Sequence, residues 1–227
     1  MPIDIRHSRE ISAEERLQDA YDLAVVIDVI RAFTVAPWIL RQGAARLLLS
    51  PDKATALQAK AGNFPEAVLV SDGAPDARFE LPNAPGQVAH HDLTGRVVIQ
   101  TTGNGTRGAH LVRHVPTVAC ASFVTASATA ELVAQFDRVL LVPTDGDEDY
   151  ALADYLSSHA QGAAFDISAL MDRVRRSAAG VECLDRGGDH AYPGVHPDDL
   201  ARCMTLDAFS QALVLTPQGA LLSVEAR

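Results

Sequence analysis

Short runs of consecutive apolar residues recur along this chain, separated by stretches whose apolar positions fall three or four apart. Leu23-Ala24-Val25-Val26-Ile27 is the first strand pattern, and 32–40 follows with a helical one that Pro37 bends or opens. Arg46-Leu47-Leu48-Leu49 comes next. Ser50 and Pro51 then fit an N-cap and a first helical residue, and Gly62 closes that helix. Further strand patterns lie at 67–70, 96–99, 118–120 and 139–142, and helical patterns separate the later ones at 108–114, 126–136 and 149–160.

Uninterrupted apolar strands alternating with helices imply an α/β fold, with a largely parallel or mixed sheet and helices on both faces. In such sheets ligands bind beyond the carboxyl ends of the strands, so the polar residues at those joints are the candidates for function. Two segments break the alternation. Residues 71–91, with Gly73, Pro75, Pro82, Pro85 and Gly86, form too long a loop for a mere connector. Beyond 163 the pattern predicts a helix at 168–178, a Gly/Asp-rich turn at 185–189 and a helix opened by Pro197-Asp198-Asp199. A terminal hairpin, 212–215 with 221–224, turns around Pro217-Gln218-Gly219. No convincing linker divides the 227 residues, so the expectation is a single domain, or two closely packed halves at about 1–115 and 116–227.

Charge changes the picture more than composition does. The chain holds 29 acidic and 19 basic residues, a net charge of −10. That argues against a nucleic-acid partner, because phosphate backbones demand a basic face. A small anionic ligand would need the cations gathered in one pocket, against the overall field. No apolar run approaches the roughly 20 residues that span a bilayer. Met1-Pro2-Ile3-Asp4-Ile5-Arg6 lacks the basic start and apolar stretch of a secretion signal. A cytoplasmic protein without a membrane partner is expected, with a homodimer as one option for its assembly. Cys120, Cys183 and Cys203 show no paired spacing, which speaks against disulfides or structural zinc and for core fillers.

Four stretches invite chemistry. Asp28 ends an apolar strand, where an ionised carboxylate needs a metal, a cation or donors; a helix cap or a buried pair with Arg31 would also satisfy it. In "QTTGNGTRG", 100–108, a strand enters a Gly-rich turn and then a helix, presenting backbone N–H groups beside Thr101, Thr102, Thr106 and Arg107. Those residues suit an anion cradle, whereas a tight turn alone would explain only Asn104-Gly105. Thr144-Asp145-Gly146-Asp147-Glu148-Asp149 follows another strand. Some of its acids favour a helix N-terminus, and one or two suit magnesium, which prefers hard oxygen ligands. Asp72 ends a fourth strand pattern, and Asn83 stands close to Pro82 and Pro85 in a turn. The histidines, His90-His91 and the i, i+4 pair His110/His114 included, lack a third ligand at convincing spacing.

Taken in order, these motifs resemble the 2-phosphosulfolactate phosphatase (ComB) family. The matching pieces are Asp28-Val29-Ile30-Arg31-Ala32, Asp72 with Asn83-Ala84-Pro85, Thr101-Thr102-Gly103-Asn104-Gly105-Thr106, and Glu148-Asp149. The resemblance spans about 23–156 and continues weakly into His196-Pro197-Asp198-Asp199-Leu200 and the hairpin. It implies a ComB-like α/β fold with its site in a cleft between two halves. It also implies Mg²⁺-dependent hydrolysis of a small acidic phosphate monoester, 2-phospho-3-sulfolactate, to 3-sulfolactate and phosphate. Carried onto this chain, it makes Asp28 and Arg31 catalytic. Asn83, Thr101, Thr102, Asn104, Gly105 and Thr106, with Arg107 beside them, become the phosphate-binding set. Asp28, Asp72, Glu148 and Asp149 become candidate metal ligands, with Asp145 and Asp147 close by. Asp28 as a covalent nucleophile is the runner-up mechanism, since a strand-end aspartate suits a phosphoaspartyl intermediate. The chain departs from the family where Ser71-Asp72 replaces Gly-Glu and Ala84 replaces Ser. A non-catalytic anion-binding or regulatory module on the same fold is the alternative.

Overall fold

Every residue of Leu23–Ile27 and Val139–Pro143 is buried, as strands covered by helices on both faces must be. In the computed structural model, which describes residues 2–227, both belong to a ten-stranded sheet. Its strands are β1 (Ile3–Ile5), β2 (Leu23–Ile27), β3 (Arg46–Ser50), β4 (Val68–Ser71), β5 (Leu81–Pro82), β6 (Val97–Thr101), β7 (Thr117–Ala121), β8 (Val139–Pro143), β9 (Leu213–Gln218) and β10 (Leu221–Ala226). The helices are α1 (Ala32–Arg41), α2 (Lys53–Ala61), α3 (Pro85–Val88), α4 (Gly105–Leu111), α5 (Ala126–Val133), α6 (Asp147–Ala160), α7 (Ile167–Arg176), α8 (Ala178–Arg186) and α9 (Asp199–Cys203).

The strand order is β1-β8-β2-β7-β9-β10-β3-β6-β4-β5. Neighbours within β1-β8-β2-β7 are parallel, as are those within β3-β6-β4-β5. The hairpin β9–β10 joins the two sets by antiparallel pairs on both sides. The hairpin predicted at the end of the chain therefore forms the middle of the sheet. Six steps separate β2 from β4 in that order. At 20–25° of twist each they add roughly 130°, which swings the ends of two oppositely directed sets toward each other.

Helices α1 and α4 fill the space between the sets: α1 packs on β3 and β7, and α4 on β2, β3, β6 and β7. Alternation along the strands does the sorting. Val26, Leu49, Val98 and Cys120 face this inner layer. Val25 and Ile27 face outward against Leu152, Leu156 and Val174, while Leu48, Leu69 and Ile99 lie under α2. A buried aliphatic side chain contributes about 1.5–3 kcal/mol, so two-sided burial makes these strands the rigid frame of the site.

Several local expectations are corrected. Asp52, not Ser50, caps α2: its Oδ1 accepts the Thr55 N–H at 2.7 Å. The helix expected at 168–178 is two helices, because the Ser177 hydroxyl accepts the Gly180 N–H at 3.0 Å and starts α8. The loop 71–91 contains β5 and α3. No helix is long and apolar enough to cross a membrane among the described residues.

Candidate active site

Asp28 leaves β2 at its carboxyl end and is 5% exposed. Its Oδ1 accepts the Ala32 N–H at 2.9 Å, which ties it to the first turn of α1. Its Oδ2 faces Gly105, where an added Cβ would stand 2.5 Å from that oxygen and 2.7 Å from the Ala32 Cβ. Only glycine lets the turn after β6 press this closely on the acid. The first and third sequence motifs therefore meet.

The second motif joins them. Asp72 Oδ2 accepts the Gly103 N–H at 2.8 Å, so the shorter acid still reaches the turn. Asn83 Oδ1 accepts from Gln100 Nε2 at 2.9 Å, and Gln100 Nε2 also donates to the Ala32 carbonyl at 2.8 Å. Asp28, Arg31, Asp72, Asn83, Thr102 and Asn104 line one cavity of about 220 Å³. Asp145 lies on the same wall, and no protein group bonds its carboxylate among the described residues. Ala84 caps α3 as a buried residue with no side-chain bond.

Below the wall sit two acids from the start of α6. Asp149 is fully engaged: Oδ1 accepts the Val29 N–H at 2.8 Å, and Oδ2 accepts the N–H groups of Thr144 (3.0 Å) and Asp145 (2.9 Å), while the Thr144 hydroxyl donates to the Ile27 carbonyl at 2.9 Å. It laces the end of β8 to the end of β2. Among the described residues Glu148 Oε1 accepts only the Gly146 N–H at 3.2 Å, and its Oε2 is buried without a partner. Asp147 points away, onto Arg173.

Burial pushes the Asp28 carboxyl up to about 7, and the charges of Asp72, Asp145 and Glu148 add to the push. Asp149 is also raised, first by burial and then by Asp28 and Glu148, while its bonds from Val29 and Thr144 oppose the rise. The site holds more negative charge than its donors compensate.

Arg31 supplies the nearby cation. Its guanidinium bonds the Asp199 carboxylate and the Gly194 carbonyl (2.8 Å). Asp199 in turn accepts the N–H groups of Gly86 (2.8 Å) and His196 (2.9 Å). By sequence Asp199 is a helix start, and it does open α9. Its hub role depends on three segments meeting, and only the weak match at 196–200 hinted at it. Glu182, Cys183 and Val195, also on the wall, carried no local signal. Burial raises the Cys183 thiol to about 11, which keeps it protonated and inert.

The anion cradle is revised. Thr102 Oγ1 accepts the Thr106 N–H (3.0 Å), and Thr106 Oγ1 accepts the Thr102 N–H (2.8 Å) and donates to the Thr102 carbonyl (3.1 Å). These hydroxyls brace the turn. Thr101 is buried in β6. Arg107 is exposed and off the cavity wall, because α4 buries Gly105, Thr106, Gly108 and Ala109 and turns Arg107 to solvent. Gly105 is buried off the wall. The Thr102 hydroxyl, which accepts from Thr106 and keeps its own proton, and Asn104, whose N–H has no acceptor among the described residues, are what remains on the wall to receive an anion.

The donor set is hard oxygen throughout, and the partnerless Glu148 oxygen and surplus charge suit a divalent cation. Among the described residues no three acidic, imidazole or thiol groups stand close enough to wrap a metal unaided. Magnesium does not require that, since it takes one or two carboxylates and keeps waters or substrate oxygens. The residues fit it.

Fold and site together define an α/β protein with an acidic cleft for a small anion. A family model described as 2-phosphosulpholactate phosphatase matches residues 9–176. The chain is 32% identical over 193 residues to a probable 2-phosphosulfolactate phosphatase of Thermoplasma acidophilum, covering 82% of each. A protein of the same description from Synechococcus sp. (strain RCC307) is 29% identical, over 92% of this chain and 94% of its own. One from Bacillus subtilis (strain 168) is 31% identical, over 72% and 75%. The chain belongs to the 2-phosphosulpholactate phosphatase family, and with it to the phosphoric monoester hydrolases.

Proposed function

We propose that this chain is a magnesium-dependent phosphatase of the cytoplasm that converts 2-phospho-3-sulfolactate to 3-sulfolactate and phosphate, acting on a small anion without nucleic acid. The names of its relatives support the substrate. One observation carries the chemistry: acids from the ends of β2, β4 and β8 crowd a single cavity beside Arg31 and the turn after β6.

Asp28 with one further acid, Asp72 or Glu148, would hold Mg²⁺, the other positions going to waters or ester oxygens. The ion supplies charge neutralisation on the phosphoryl oxygens and the leaving oxygen. Arg31, fixed by Asp199, binds phosphate oxygens with its remaining donors. Asn83, the Thr102 hydroxyl and the Asn104 N–H, all on the wall, orient the ester. Asp145, without a partner of its own, orients the attacking water and takes its proton at a carboxylate oxygen. Asp149 binds nothing; it positions the strand ends.

The test is phosphate release from 2-phospho-3-sulfolactate with magnesium and with EDTA, for the natural protein and Asp28→Asn. Magnesium-dependent turnover lost in the variant supports the assignment. Equal turnover by both proteins refutes it, and turnover undiminished by EDTA refutes the metal.

A further inference from the structure

The cavity opens outward into a vestibule of about 430 Å³, which shares Arg31, Asp72, Asn83 and Glu182 with it and adds Arg186 and Tyr192. Among the described residues, Arg31 and Arg186 are the cations on the wall of this joined space. Arg31 is already committed to Asp199 and Gly194. Arg186 is not. Its ion-pair partner is Glu182, one turn back on α8, and its side chain is 42% exposed. The guanidinium stands 4.4 Å over the Tyr192 ring, which holds its plane and leaves its edge donors free. An exposed pair within one helix exchanges partners at small cost.

We propose that Arg186 determines specificity by binding a second acidic group of the substrate, a carboxylate or sulfonate, while the phosphate lies at the floor beside Asp28. Glu182 holds Arg186 over the vestibule until that group displaces it. The proposal rests on the phosphatase reading and narrows it to esters bearing a further anion near the phosphate.

The physical case is charge. Asp28, Asp72, Asp145 and Glu182 make the wall acidic, and the whole chain carries −10. An ester with two or three anionic groups meets repulsion there that Arg31 and one divalent cation at the floor do not offset. Arg107 lies outside, so Arg186 is the remaining cation within reach. Its planar fork matches carboxylate or sulfonate oxygens in pairs.

The test compares two esters, 2-phospho-3-sulfolactate and isopropyl phosphate, which keeps the three-carbon skeleton and lacks the other acids. The natural protein, Arg186→Gln and Arg186→Lys are assayed with magnesium; the inhibition constant of isopropyl phosphate serves where its turnover is slow. In Arg186→Gln the preference for the acidic ester falls about 10- to 100-fold through KM, the scale of one charged hydrogen-bonded contact. Arg186→Lys recovers part of it. Glu182→Gln shifts KM for the acidic ester the other way, lowering it about two- to fivefold. An unchanged preference in Arg186→Gln, or an equal loss on both esters, overturns the proposal. Absence of turnover of 2-phospho-3-sulfolactate by the natural protein overturns the phosphatase reading itself, and this assignment with it.

Discussion

Two strand ends of this molecule each bury an aspartate, and they use it in opposite ways. At the junction of β8 and α6, Asp149 accepts three backbone N–H groups. At the end of β2, Asp28 accepts one N–H at Oδ1 and turns to a cavity edged by other acids. The saturated carboxylate is a strut. The unsaturated one is held ready for a partner from solution. Both are candidate metal ligands by sequence, and donor count separates them, since a carboxylate with three backbone donors has little left for a cation.

The sharpest way to break this contrast is to remove each charge. Asp28→Asn should reduce kcat by about 100-fold or more while the protein stays folded. Asp149→Ala should act first on stability. The Val29 and Asp145 N–H groups lose their acceptor, while Thr144 keeps the Ile27 carbonyl. Two unpaired donors cost about 2 kcal/mol or more, visible as a lowered midpoint in denaturant melts. Equal losses of stability in both variants would erase the distinction.

Gly105→Ala probes the close approach directly. A methyl 2.5 Å from Asp28 Oδ2 and 2.7 Å from Ala32 Cβ must push the turn off the acid, at about 1–3 kcal/mol, and activity should fall with it. Normal turnover in a folded Gly105→Ala protein would show that the turn and Asp28 need not touch.

Acid titration sharpens the contrast further. With Asp28 raised to about 7, the folded protein keeps a proton that the unfolded chain has released above about 4. Its contribution to stability is present in full below that pH and lost as pH climbs toward 7. In EDTA, melting temperature should therefore drop between about pH 4 and 7, and Asp28→Asn should flatten the drop and raise the melting temperature at neutral pH. Added magnesium should stabilise the natural protein most at neutral pH, by mass action on the folded state. A natural protein as stable in EDTA at pH 7 as at pH 5 would contradict the surplus charge at the site. The smallest expected effect is that of Arg107→Ala, which should leave kcat/KM within about twofold, since the side chain faces solvent off the cavity wall.

How far the site was legible follows from the range of the interactions. Asp28, Asp72 and Glu148 announce themselves because a polar residue closing an apolar strand is a local pattern. Arg107 misled for the converse reason. It is one residue from Thr106 and faces the other way, because the packing of α4 against β2 decides which side is buried. Asp199, Glu182 and Arg186 come from helices more than 100 residues beyond Arg31 and Asp72, and no spacing rule connects them.

The chain's own order of residues settled most of the strands, though not β1 or β5, where helices start near Asp28 and Asp149, and which acids close the strands. Those outcomes depend on periodicity and propensity, which act within a few residues. Tertiary structure alone placed the terminal hairpin at the centre of the sheet and swung two opposed strand sets around α1 and α4. It also decided that one aspartate is sated and the other exposed to a ligand. Donors contributed by β2, β8 and the turn after β6 arrive only through packing, and their number around a buried charge decides whether that charge is spent on the fold or left for chemistry.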